Sequence, residues 1–284
     1  MYKFIYSFLG VLVITTIAAT ALLLNPYDKQ YKSYYLEQQA FKALDSGNAD
    51  KYFQYMDNPV TVKYHFSGNY TLAINYIIAG RYDEAQRVIN SYKKEYNYGF
   101  CTEAGNSLSK FLCRLGYSFE NTFMKNQPNY SKNYYLSKLY FAKGDYKKAV
   151  EYNKKSEKLD GCFSSMLYSA AGDKKAAHEN LLLCKIQQKN KKYPRKLYLA
   201  SGYFYLKQKQ YDKALIEFQK DLNTTQCGHG KYRKCRGNNT TYFYMAQCFE
   251  QSGSKEKAKA YYKKILFNEP WNFKAKKGLD ALKK

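Results

Sequence analysis

The chain has 284 residues, with 47 Lys and Arg against 23 Asp and Glu, and so a formal net charge of +24. Such a surplus attracts anions over a Debye length of about 8 Å at physiological salt. Histidine is confined to His65, His178 and His229. None lies in a nucleophile, metal or Gly-rich phosphate motif, which speaks against an enzyme and leaves no cofactor to expect.

Residues Phe4 to Leu24 are almost wholly apolar and follow Lys3. Their length is about that needed to span a bilayer. Ala19-Thr20-Ala21 fits the small-residue cleavage site of a secretory signal peptide, whereas the continuing run Leu22-Leu23-Leu24 favours an uncleaved anchor. Residues 1–25 are therefore a signal peptide or a transmembrane anchor, an N-terminal hydrophobic helix that places the rest of the chain across a membrane. Residues 26–65 read as a divergent helical hairpin about a Ser46-Gly47-Asn48 turn.

From residue 66 to 271 a short phrase recurs. It runs Leu72-Ala73, Tyr76, Gly80, Tyr82, Ala85 in the first copy, and Leu136-Ser137, Tyr140, Gly144, Tyr146, Ala149 in the next. A degenerate copy follows at Ser165, Tyr168, Gly172-Asp173 and Ala177. Further copies run Leu199, Gly202, Tyr205, Tyr211, Ala214, Phe218 and Met245-Ala246, Phe249, Gly253, Ala258, Tyr262, Pro270. The order is small residue, aromatic, turn residue, Ala, aromatic. Glycine supplies the turn in all but one copy, because a left-handed backbone is cheap only for Gly; Lys209 stands there instead. The pattern resembles that of the tetratricopeptide repeat family. That resemblance implies an all-α fold, an α-α superhelix of paired helices in which the small residues sit where backbones approach closely. The lack of strand-type alternation agrees with it. The phrase is lost in an irregular segment at 100–128, although Leu108, Phe111, Leu112 and Leu115 keep helical spacing. A polar insertion loop is expected at 223–240. The degenerate copy follows its predecessor closely, which predicts a shortened first helix. Residues 272–284 read as a capping helix, as a stacked array needs at its end.

Seven Cys are many for a helical repeat in a reducing compartment. Cys227 and Cys235 bracket a short polar loop and are candidates for one disulfide. Cys162 and Cys184 flank the Gly172 turn at similar distances and would lie opposite one another in a hairpin, candidates for another. Cys248 reads as an unpaired core thiol. A zinc site at Cys227, His229 and Cys235 lacks an adjacent fourth ligand.

In the family the first helices line a trough. By that resemblance the inward residues are Tyr134, Lys138, Lys196, Leu199, Tyr203, Lys207, Phe243 and Gln247. They mix aromatic, aliphatic and basic character and suit protein partners, including acidic peptide segments. The leading expectation is a non-enzymatic scaffold for protein–protein interactions in a membrane-associated or extracytoplasmic complex, periplasmic in a Gram-negative bacterium. The alternative is a basic surface binder of an anionic envelope polymer or lipid headgroups. No nucleic-acid module is recognised, and no nucleic-acid partner is expected.

Overall fold

The computed structural model describes residues 32–33, 35–58, 61, 68–91, 132–156, 159–192, 194–224 and 238–283. The predicted apolar segment at 1–25, the irregular segment at 100–128 and the Cys227–Cys235 pair lie outside these residues. Among the described residues, no helix is long and apolar enough to cross a membrane.

Thirteen helices are found among the described residues, in the order α1 (residues 35–45), α2 (Ala49–Met56), α3 (Gly68–Ile78), α4 (Tyr82–Ser91), α5 (Lys132–Lys143), α6 (Tyr146–Lys154), α7 (Gly161–Ala171), α8 (Lys174–Gln188), α9 (Arg195–Lys207), α10 (Tyr211–Thr224), α11 (Asn239–Gln251), α12 (Lys255–Asn268) and α13 (Phe273–Ala281). The chain divides into two compact units. One holds α1, most of α2 and the start of α3. Its core gathers Ala40, Ala43, Leu44, Tyr52, Phe53 and Met56. The Tyr52 ring meets Phe41 at 6.3 Å and Phe53 edge-on at 5.2 Å.

The other unit holds the rest of α3 and the helices from α4 onward. Here α5 packs on α6, α7 on α8, α9 on α10 and α11 on α12. Successive pairs join through α6 on α7, α7 on α9, α8 on α9, α10 on α11 and α9 on α11, and α13 closes on α12. The fold is therefore all-α, built of helix pairs in series.

One local device makes each pair. The chain leaves the first helix through a left-handed residue, Gly80, Gly144, Gly172 or Gly253, with φ between 76° and 84°. The amide of the following residue then bonds back to the carbonyl of the repeat aromatic: Arg81 to Tyr76, Asp145 to Tyr140, Asp173 to Tyr168 and Ser254 to Phe249. This is the Schellman arrangement, which satisfies a carbonyl the helix end would otherwise orphan. Two of these residues also open the next helix. The Asp145 and Asp173 carboxylates accept from the Lys148 and Ala176 amides at 3.1 and 2.9 Å. Lys209 does the work of Gly in the α9–α10 pair, with φ 60°, and Gln210 bonds back to Tyr205 in the same way.

Five residues beyond each turn stands a fully buried Ala, at 85, 149, 177, 214 and 258. It faces the small residue seven before the turn. Ser137 and Ser165 hydroxyls donate to the Ala149 and Ala177 carbonyls at 2.7 and 2.9 Å. Gly202 lies so close to the Phe218 ring that an added Cβ would drive into it. Two apolar clusters form over these contacts. One gathers Met166, Ala200, Tyr203, Leu206, Phe218 and Tyr244; the other gathers Tyr242, Ala246, Tyr262, Ile265, Ala275 and Leu282.

The degenerate copy does have a shorter first helix, 11 residues in α7 against 13 in α9. Asp160 starts it abruptly by accepting from the Cys162 and Phe163 amides. A disulfide joins Cys162 to Cys184 across the α7–α8 pair, and Cys248 is free and buried. Most of the predicted 223–240 loop lies outside the described residues, and its two edges are helical. Helix α10 continues through Thr224, and helical structure resumes at Asn238. Thr224 accounts for the first edge by donating to the Asp221 carbonyl, and Asn239 for the second by accepting from Asn268.

A left-handed backbone costs an L-residue about 1–2 kcal/mol, against about 0.5–1 kcal/mol of extra unfolded-state entropy for Gly. Lys209→Gly is therefore expected to raise the unfolding free energy in urea by roughly 0.5–1 kcal/mol, and Gly144→Lys to lower it. The disulfide spans 22 residues. Replacing both Cys162 and Cys184 by Ser is expected to cost about 3 kcal/mol in the same measurement.

Candidate functional site

The first turn of α9 carries two adjacent basic residues that reach in opposite directions along the helix series. Arg195 pairs with Asp221 at the end of α10, at 3.0 Å from Nε and 3.4 Å from Nη2. Thr241 from α11 donates to the same carboxylate. Asp221 is buried, so this node locks three helices rather than meeting a ligand.

Lys196 points the other way. Its Nζ donates to Asp160 Oδ2 at 3.1 Å, and the Tyr134 hydroxyl of α5 donates to the same oxygen at 3.3 Å. Asp160 Oδ1 is occupied by the amides that start α7. Lys138, one turn beyond Tyr134, lays its ammonium over the Tyr134 ring at 4.7 Å and the Phe163 ring at 5.4 Å. Three helices thus bring one carboxylate, two ammoniums and two aromatic rings together.

The electrostatics follow from that geometry. Burial pushes Lys138 down to about 8, Asp160 resists this, and the Lys196 charge adds to it. Burial alone would raise Asp160, but the Lys196 ammonium, the Phe163 amide and Lys138 outweigh it and hold the carboxyl below its usual value. Lys196 keeps 54% of its side chain exposed while Asp160 keeps 8%. The node therefore presents a positive tip over a neutralised base.

Of the eight predicted groove residues, Tyr134, Lys138 and Lys196 meet at this node. Tyr203 and Lys207 repeat the Tyr134–Lys138 pairing on α9, with the Lys207 ammonium 5.4 Å above the ring. Both tyrosine rings are buried, Tyr134 at 3% and Tyr203 at 4% exposure. Tyr203 packs between Phe141 and Tyr244, and burial raises its hydroxyl well above the ordinary tyrosine value. Leu199 and Phe243 are half-buried against the larger cluster, Phe243 touching the Tyr244 and Tyr262 rings. Gln247 is half-buried on α11. Asp160 and Phe163 were missed by the sequence reading. An Asp one residue ahead of a helix is an N-cap signal, so Asp160 was detectable as a cap though not as the hub of a charge cluster. Among the described residues, no group of three or more His, Cys, Asp or Glu could hold a metal ion.

A family model described as tetratricopeptide repeat matches residues 240–266, the α11–α12 pair. Among solved structures, a tetratricopeptide repeat protein from Parabacteroides merdae ATCC 43184 is similar, with 14% identity and a TM-score of 0.39, over 89% of this chain and 100% of that one. No curated protein matches the chain.

The folded chain releases the Lys138 proton near pH 8, whereas an ordinary lysine holds it to 10.5. Between these values the unfolded state binds more protons, so the contribution of Lys138 to stability rises with pH across that window. Lys138→Met removes the titration. In urea unfolding series, the stability of the variant minus that of the parent is expected to fall as pH climbs from about 8 toward 10.5 and to stay level below pH 7.

Proposed function

We propose that this chain, a tetratricopeptide repeat protein, is a non-enzymatic scaffold that holds protein partners on the face formed by its first helices. The observation that carries this reading is the Lys138–Asp160–Lys196 node. Asp160 balances part of the local charge from within, yet Lys196 remains open to solvent. An acidic or mixed acidic and apolar segment of a partner complements such a surface, where tyrosine and lysine offer contact area and charge together. Leu199, Phe243 and Gln247 extend the same helices with apolar and amide character.

We place the complex at a membrane or beyond it. The apolar run at Phe4 to Leu24 supports this, and so does the Cys162–Cys184 disulfide, since disulfides persist in oxidising compartments. In a Gram-negative bacterium that compartment is the periplasm.

A second reading has its own observation. In three pairs a lysine eight residues beyond the repeat aromatic lies over its ring: Lys148 over Tyr140 at 5.4 Å, Lys213 over Tyr205 at 5.9 Å and Lys257 over Phe249 at 5.5 Å. All three lysines are exposed. A positive charge at the same place in three of the helix pairs suits a polymer that carries repeated anions.

Photo-cross-linkers placed at Lys196, at Gln247 and at Ile186 separate the readings in native cells. Ile186 is 70% exposed on α8, away from the first helices. The scaffold reading expects a discrete protein adduct from positions 196 and 247, retained in high salt and absent from 186. Its failure would be no protein adduct at either inner position. Recovery of an acidic polymer released by salt would move the assignment to the second reading.

A further inference from the structure

We propose that the α3–α4 turn is a clasp that holds α5 and α13 at once, and that release of the Phe273 ring from Gly80 widens the first-helix face between those two helices. All the residues concerned belong to the second unit.

The contrast among the turn glycines points to it. Gly80, Gly144, Gly172 and Gly253 share one left-handed conformation. A Cβ added at Gly144, Gly172 or Gly253 would meet nothing within 4 Å. At Gly80 it would stand 2.6 Å from Cγ of Phe273 and 2.9 Å from its Cβ and Cδ1, nearer than a real Cβ comes. The first residue of α13 thus seats its ring on the bare backbone of a turn far earlier in the chain. Backbone conformation favours glycine at all four turns, and at Gly80 the ring requires it as well.

The other side of the same turn holds α5. The Tyr82 hydroxyl donates to the Ala142 carbonyl at 3.3 Å, Asp83 pairs with Lys143 at 3.6 Å, and the Lys143 ammonium lies 6.0 Å over the Tyr82 ring. Residues 80–83 therefore reach both the helix that carries Tyr134 and Lys138 and the helix that ends the series. The path through α6 to α12 links α5 to α13 pair by pair, whereas the turn links them in one step.

Each hold is light beside the packing inside a pair. The Phe273 ring belongs to a residue that is 43% exposed. Asp83 keeps 97% of its side chain in solvent, where an ion pair contributes little. Helix α13 is 9 residues long and buries Ala275. Segments held by few buried contacts open at low free energy while the rest of the fold stays intact. A partner that bound the open form better would draw the population toward it. That bearing on partners rests on the scaffold reading; the clasp itself does not.

The test uses the full-length chain with spin labels on ketone-bearing residues at positions 132 and 276, exposed sites on α5 and α13. The distance between the labels in Gly80→Ala is expected to be longer and more broadly distributed than in the parent. Gly144→Ala imposes the same left-handed strain with no ring above it, and should leave the distance unchanged. The single tryptophan, Trp271, is buried two residues before Phe273. Its emission should move to the red in Gly80→Ala and stay in place in Gly144→Ala. Hydrogen exchange of the α13 amides should quicken about tenfold in Gly80→Ala relative to Gly144→Ala. Phe273→Ala should reproduce the longer distance, and adding Gly80→Ala to it should lengthen it no further. An unchanged distance in both Gly80→Ala and Phe273→Ala, or an equal change in Gly144→Ala, would overturn the proposal. These readouts need no partner, so the lack of a protein adduct at positions 196 and 247 would end the scaffold reading and leave the clasp standing.

Discussion

Two helices can lie against each other at the closest spacing only if both offer small side chains where they touch. Each helix pair in the second unit is organised by that requirement. Ser137 meets Ala149, Ser165 meets Ala177, and Gly202 lies against the helix of Ala214 and Phe218. The left-handed turn fixes the register, because it stands seven residues after one partner and five before the other. A one-residue slip would bring Leu136 or Lys138 to the contact, where overpacking costs about 1–3 kcal/mol. The serine hydroxyls add a hydrogen bond to the same small interface. The rest of the packing inherits this register, including which rings face the clusters around Phe218 and Tyr262.

The unusual composition finds its explanation in the same geometry. Lysine stems lie along tyrosine and phenylalanine faces, so the two abundant residue types serve each other. Exposed pairs of this kind contribute about 0.5–1 kcal/mol each, and their charges stay available to solvent. Buried charge is handled differently. Arg195 and Lys196, adjacent in sequence, hold buried carboxylates on opposite sides of α9, Asp221 ahead and Asp160 behind. Removing either base would leave its carboxylate to its remaining donors, Thr241 for Asp221 and Tyr134 with the α7 amides for Asp160. The loss is moderated by the partial exposure of Arg195 and Lys196. The start of α9 is therefore the electrostatic keystone between the degenerate repeat and the following one.

Much of this was legible before any coordinates. The turn residues, including Lys209 as the departure, could be read because a left-handed backbone restricts residue choice sharply. The small residues were readable from their fixed offsets to those turns. The Cys162–Cys184 bridge followed from symmetry about Gly172. What escaped was whatever depends on distance between repeats. Asp160 is an ordinary cap in sequence, and only the close succession of α5, α7 and α9 turns it into a meeting point for Tyr134, Lys138 and Lys196. The burial of Tyr134 and Tyr203 escaped for a related reason. A position on an inward helix face says nothing about how far a neighbouring ring covers it, and Phe163, Phe141 and Tyr244 cover these two. Thr224 and Asn239 are helical although such polar residues read as loop, because each bonds into a helix end.

Arrays of helix pairs can come apart from either end, one unit at a time, since each unit leans mainly on its neighbours. The Cys162–Cys184 bridge changes that for a chain under tension. The 22 residues it encloses cannot lengthen when the chain is pulled, which withholds roughly 75 Å of contour. Force transmitted along the backbone passes through the two sulfurs and bypasses the α7–α8 turn. A chain pulled from its two sides would thus keep these residues out of the extended length while the repeats before and after them pay out.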